Sequence, residues 1–251
     1  MPEEKVSFPS ISDVPDSSWE KLAQKKIYFG HQSVGFNILD GIKDVMKEHS
    51  EINVNIVETA DESNFKVGLL AHSRVGKNVD PKSKITEFAN FIDSGIGKKA
   101  DAAALKFCYV DITAGTNANN VFNDYSDSIL QLKAKYPDMI IIHFTNPLTQ
   151  RQTGLKTWIK KVIGRPGSVE NNIKRYEYNE MLIKQYEGKE PIFNIAKIQS
   201  TYPDGTRCSF TKDGKTYYSM VPEYTTDGGH LNEAGRKKVA EQFLILLAKL
   251  N

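Results

Sequence analysis

Residues 139–144 read Met-Ile-Ile-Ile-His-Phe. A run this apolar, without alternation, leaves no face suited to water, so as a strand it must be covered on both sides. That requires a sheet inside the molecule with helices on each face, and the rest of the chain supplies both. Lys26-Ile27-Tyr28-Phe29 reads as a first strand, followed by Phe36, Leu39, Ile42, Val45 and Met46 at helical spacing. Ile52, Val54 and Ile56 alternate with polar residues and predict a second strand, and 58–80 reads as a loop-rich segment. A helix follows from about Pro81, with Ile85, Phe88 and Ile92 on one face. Ala102–Val110 predicts a third strand ending at Asp111, and Phe122, Tyr125, Ile129 and Leu132 mark another helix before the 139–144 strand. After a basic, irregular stretch at 148–168 come a helix over 169–187 and a fifth strand over Pro191–Ile198. Asp213-Gly214 signals a hairpin, and a last helix carries Val239, Phe243, Leu246, Leu247 and Leu250. This alternation predicts a three-layer α/β/α sandwich around a mostly parallel five-stranded sheet. Residues 26–251 read as one domain, and the polar residues 1–25, with Pro2, Pro9 and Pro15, as an irregular lead-in.

The length of 251 residues suits one such domain. A net charge of +2 gives no reason to expect a nucleic-acid partner, and no apolar run is long enough to span a membrane. Met1-Pro2-Glu3-Glu4-Lys5 has no apolar signal segment, which leaves two expectations open: a cytoplasmic protein, or an exported one whose signal has been removed. Cys108 lies in an apolar run and reads as a buried thiol, and Cys208 lies in a hairpin-like region. Neither shows the spacing of a metal site, and no disulfide between them is expected.

In an open parallel sheet, ligands gather at the carboxyl ends of the strands. Four polar segments follow strands here: Ser33, Asp111, Asn146 and the loop Asp227-Gly228-Gly229-His230. Asp227 stands three residues before His230, with two glycines between to allow a sharp turn. A carboxylate there can orient the ring, making His230 a general base and Asp227 its orienter. A base of that kind needs a nucleophile. Ser33, in the glycine-flanked turn Gly30-His31-Gln32-Ser33-Val34-Gly35, sits where helix-terminal N–H groups suit a developing oxyanion. The plainer alternative is that Ser33 only caps the following helix. Gly76, through its backbone N–H, and Asn78, through its side-chain amide, are candidate oxyanion donors, with a loop glycine and a surface asparagine as the alternative. His31 and His72 flank these positions as candidate substrate contacts. Asp111 is a candidate site residue or a turn cap. The basic residues of 151–165 would favour an acidic substrate, or form a solvated face.

With these residues in view, the sequence resembles the SGNH/GDSL hydrolase family. IYFGHQSVG within 26–35 is similar to its first block. The stretch 103–147, with YPDMIIIHFTNP, is similar to its third block and the strand after it. TDGGHLNEAGR at 226–236 is similar to its last block. The chain departs from the family pattern in two places. Gly30-His31-Gln32-Ser33 stands where the family has Gly-Asp-Ser, and Cys108-Tyr109-Val110-Asp111 where it has Gly-x-Asn-Asp, so the oxyanion asparagine is missing at Val110. Asn78 is the candidate replacement. The resemblance implies a divergent member with a flavodoxin-like topology. It also implies a serine esterase acting through Ser33, His230 and Asp227, without metal or cofactor, that deacylates a carbohydrate or similar small ester. Two alternatives stay open: acyl transfer to a sugar hydroxyl, and a non-catalytic carbohydrate-binding protein on the same fold.

Overall fold

The computed structural model of the chain describes residues 5–152 and 167–250. The strands are β1 (Lys26–His31), β2 (Ile56–Glu58), β3 (Leu69–Arg74), β4 (Ala102–Leu105), β5 (Ile140–Phe144) and β6 (Ile192–Phe193). They form one sheet in the order β2-β3-β1-β4-β5-β6, with every pairing parallel. The helices are α1 (Asp16–Gln24), α2 (Val34–Glu48), α3 (Pro81–Asp93), α4 (Ala118–Lys135), α5 (Ser168–Tyr186), α6 (Ile195–Gln199) and α7 (Glu233–Ala248). An antiparallel hairpin, β7 (Ser209–Lys212) with β8 (Lys215–Tyr218), turns at Asp213-Gly214, both at positive φ.

Alternation along the strands divides the core in two. Phe29, Ala104, Ile142 and Phe144 pack with α1, α2, α6 and α7, whereas Tyr28, Ala103, Leu105 and Ile141 pack with α3, α4 and α5. Neighbouring residues face opposite helical layers, which makes the three-layer sandwich. Capping follows the sequence: Asn117 accepts from the Asn120 N–H at 3.1 Å at the start of α4, and Asn232 from the Gly235 N–H at 3.0 Å at the start of α7.

The sheet has six strands where five were expected. The additional strand is β3, inside the segment 58–80 read as loop. It pairs with both β1 and β2. Only Leu69, Leu70 and Ala71 are apolar before His72-Ser73-Arg74, too short a run to stand out. The second strand begins at Ile56, not Ile52, although Ile52 and Val54 are buried just before it. The third ends at Leu105, because the Asp111 carboxylate accepts the Cys108 N–H at 2.6 Å and closes a turn. Only Ile192 and Phe193 of the fifth run join the ladder, since Asn194 caps α6 by accepting from the Lys197 N–H at 2.9 Å. The lead-in read as irregular contains α1, whose Trp19 and Leu22 are buried one turn apart. The two flanking helices α2 and α7 cross closely: a Cβ at Gly41 would lie 2.3 Å from the Arg236 carbonyl oxygen. That crossing fixes the element after Ser33 against the element after His230.

Candidate active site

From β1 the chain crosses to β2 at the sheet edge, returns to β3 beside β1, and then passes to β4 on the other side of β1 and outward to β5 and β6, so the strand order switches between β1 and β4. A crevice at the carboxyl ends of the strands is expected there. Ser33 leaves β1 at that point. It occupies the N-cap position of α2, yet its side chain makes no capping hydrogen bond. Its Oγ lies instead 3.6 Å from the Cys108 Sγ, on the segment leaving β4. Gly35 must lack a Cβ, which would fall 2.2 Å from the His31 ring.

The Asp227 loop is held by its own backbone. Asp227 Oδ1 accepts the N–H groups of Gly229 and His230, each at 2.8 Å, and Oδ2 accepts the His230 Nδ1–H at 2.6 Å. Gly228 has φ +89, and a Cβ on Gly229 would strike the Tyr109 ring at 2.6 Å, so both glycines are required. Burial pushes the Asp227 carboxyl up, but the hydrogen bonds from the His230 side chain and from the Gly229 and His230 N–H groups outweigh it, and its pKa falls to about 2. With Nδ1 donating to Asp227, His230 Nε2 carries the lone pair of a base. Tyr109 meets the His230 ring edge-on, centroids 5.6 Å apart. Asn37, in the first turn of α2, accepts the Leu231 N–H at 3.2 Å. Ser33 and His230 thus meet consecutive residues, Cys108 and Tyr109. Among the described residues no direct hydrogen bond joins the two, and such contacts commonly tighten only when substrate binds.

The other expected site residues lie elsewhere in this framework. The Gly76 N–H donates to the Glu87 carboxylate, and its carbonyl accepts from Gln32 Nε2 at 2.9 Å, so that N–H is committed and not free for an oxyanion. Gly76 has φ +55, and a Cβ would fall 2.4 Å from the Lys84 nitrogen. Asn78 is exposed, with its carbonyl oxygen accepting from Lys84 Nζ at 2.9 Å. Asp111 is buried, 2.5 Å from Lys84 Nζ, and accepts the Val79 N–H at 2.9 Å and that of Cys108. It is a counter-ion and turn lock rather than a substrate contact.

His31 is likewise buried. Its Nδ1–H donates to the Gln32 carbonyl at 3.3 Å, so Nε2 accepts from His72 Nδ1 at 3.2 Å. Burial, then the neighbouring Lys106 charge, lower its pKa to about 3, and burial lowers His143 in the sheet to about 4. Both rings are neutral in the fold and gain protons on unfolding below pH 6.5, so their stabilisation is lost as pH falls from 6.5 toward those values. Each ring contributes about 1.4 kcal/mol per pH unit over that window. Denaturant unfolding at pH 5.5 should therefore give a stability roughly 3 kcal/mol below that at pH 7.5. Equal or greater stability at pH 5.5 would contradict this.

Sequence reasoning missed Lys84, Lys106, Tyr109 and Arg175. Lys106 did carry a signal, a lysine inside the apolar run Ala102–Val110. Beside the Asp227 loop lies a cleft of about 200 Å³ whose lining includes Tyr109, Thr149, Gln150, Asn171, Arg175 and Asp227. Arg175 is buried and donates to the carbonyls of Tyr109 and Ile112, holding the Tyr109 turn; burial lowers its pKa to about 9. A larger hollow, about 680 Å³, lies between residues 5–10 and α7 and contains none of the candidate catalytic side chains. Of the candidate catalytic side chains, the polar cleft is lined by Asp227 alone, with neither Ser33 nor His230 in its wall. Most of the basic stretch 151–165 lies outside the described residues. Among the described residues, no cluster of three or more His, Cys, Asp or Glu is arranged for a metal, and no helix is long and apolar enough to cross a membrane.

This architecture is the α/β/α fold of the SGNH/GDSL hydrolases. A lipolytic protein of the G-D-S-L family from Veillonella parvula superposes with a TM-score of 0.51 over 89% of this chain and 98% of its own, at 14% identity. A Streptococcus pneumonia protein named for platelet activating factor gives 0.53 over 92% and 90%, also at 14% identity. No family model and no curated protein matches the sequence.

Proposed function

We propose that the chain is a serine esterase that removes a small acyl group, such as acetyl, from a carbohydrate or similar hydroxyl-rich ester. The observation that carries this reading is the 2.6 Å Asp227–His230 hydrogen bond, which leaves Nε2 as a base, together with a serine whose hydroxyl caps nothing and meets Cys108, the residue before the Tyr109 that His230 meets. His230 Nε2 takes the proton as Ser33 Oγ attacks the ester carbonyl. The charge on the carbonyl oxygen develops at the N-terminal end of α2, the positive end of its dipole. Collapse expels the alcohol, which takes the proton from His230. Water, activated by the same ring, then releases the acyl group from Ser33. Asp227 stays ionised and holds the tautomer throughout. The polar lining of the cleft, with Thr149, Gln150 and Asn171, supports a substrate rich in hydroxyl groups.

The test is acetate release from a panel of acetylated monosaccharides, with and without a free sugar as acceptor. The expected result is acetate release above buffer. Acetyl transferred to the added sugar instead would identify an acyltransferase using the same residues. Sugar binding without any turnover of sugar acetates or p-nitrophenyl acetate would overturn the esterase reading in favour of a binding protein.

A further inference from the structure

Directly beneath Ser33 lies a buried charge that the reaction above does not use. Lys106, just past β4, is completely buried. Its Nζ reaches two acceptors, the Phe107 carbonyl at 3.1 Å and the Cys108 Sγ at 3.9 Å. Asp111, the buried carboxylate of the same cluster, is paired with Lys84 at 2.5 Å, and no salt bridge to Lys106 occurs among the described residues. The remaining titratable neighbours are His31 and Cys108 itself. His31 is held neutral, so the Lys84–Asp111 pair cancels and Lys106 is the unmatched group. Burying an amine without a carboxylate is costly, and such arrangements concentrate at functional sites. Here the neighbour that takes up its hydrogen bond, Cys108 Sγ, is also the group in contact with Ser33 Oγ.

We propose that Lys106 and Cys108 form a donor chain ending on Ser33. Lys106 Nζ–H donates to Sγ, the Cys108 S–H donates to Ser33 Oγ, and the Ser33 hydroxyl proton is left to His230. The chain rests on Ser33 being the nucleophile. As His230 removes that proton, negative charge grows on Oγ, and the thiol hydrogen and the ammonium behind it stabilise it. Donors linked in series polarise one another in a low-dielectric interior, which strengthens the last bond. Both side chains act through Ser33 and are positioning residues.

The test compares Cys108→Ala, Cys108→Ser and Lys106→Met with the wild type on p-nitrophenyl acetate, with folding followed by circular dichroism. Cys108→Ala should lower kcat about 10- to 100-fold with KM little changed, the effect of losing one hydrogen bond to a charged group. Cys108→Ser should recover most of that loss, because its hydroxyl accepts from Lys106 and donates to Ser33. Burial foremost lowers the Lys106 pKa from 10.5, so the wild-type rate should fall at alkaline pH below the ordinary lysine range, and Lys106→Met should lack that limb. If Cys108→Ser is as slow as Cys108→Ala, or if folded Cys108→Ala and Lys106→Met match the wild type while Ser33→Ala is inactive, the donor chain is overturned and the esterase stands. Should Lys106→Met fail to fold, the two Cys108 variants decide alone. A wild type that a serine-directed fluorophosphonate does not label would remove Ser33 as nucleophile, and the chain with it.

Discussion

Replacing Ser33 or His230 by alanine should each lower kcat for ester hydrolysis by about 10⁴- to 10⁶-fold, and the double variant should be little worse than either single one. Residues that act as one unit fail together, because a nucleophile without its base and a base without its nucleophile are equally idle. Neither replacement should cost much stability. The Ser33 side chain caps nothing, and the His230 side chain is 40% exposed. Substitutions at such positions usually stay within about 0.5 kcal/mol. Circular dichroism and thermal unfolding should therefore match the wild type while turnover collapses, separating a chemical role from a structural one. Asp227→Asn should fall between these extremes: it keeps the loop but favours the wrong His230 tautomer, and it weakens the charge facing the imidazolium.

The largest stability effect is expected at Asp111. Its carboxylate neutralises Lys84, both side chains being 0% exposed, and it also accepts the N–H groups of Cys108 and Val79. Removing one partner of a buried ion pair leaves the other charge stranded, at about 3–5 kcal/mol. Asp111→Ala should lower the Tm by roughly 6–20 °C for a chain of this size. Asp111→Ala combined with Lys84→Met should regain much of that loss, since neither member of the pair is then left stranded. Equal Tm values for Asp111→Ala and the wild type would show that Asp111 is not the counter-ion described. The same residue locks the turn that sets Cys108 beneath Ser33, so activity should fall in Asp111→Ala even below its Tm.

The layered fold was legible because its signals are local and repeated: the apolar run at 139–144 and the helical stripes. The Asp227–His230 pairing was legible for the same reason, since three residues and two glycines settle it within one loop. What depends on distant neighbours was not. β3 is central by virtue of its partners β1 and β2, and nothing in Leu69-Leu70-Ala71-His72 announces them. Gly76 looked like a donor because a loop glycine offers its backbone N–H, but Glu87, eleven residues on, takes it. Asp111 and His31 looked like rim residues because they end strands. Their burial comes from Lys84 in one case and from His72 and the α2 turn in the other. A polar residue at a strand end is equally suited to a substrate and to a buried partner, and the partner lies elsewhere in the chain.

The most direct measurement is intact mass spectrometry after treatment with a fluorophosphonate, followed by peptide mapping, on the wild type, Ser33→Ala and His230→Ala. A single adduct on Ser33 is expected in the wild type, none in Ser33→Ala, and slow labelling in His230→Ala. No adduct in the folded wild type, or an adduct that persists in Ser33→Ala, would contradict it.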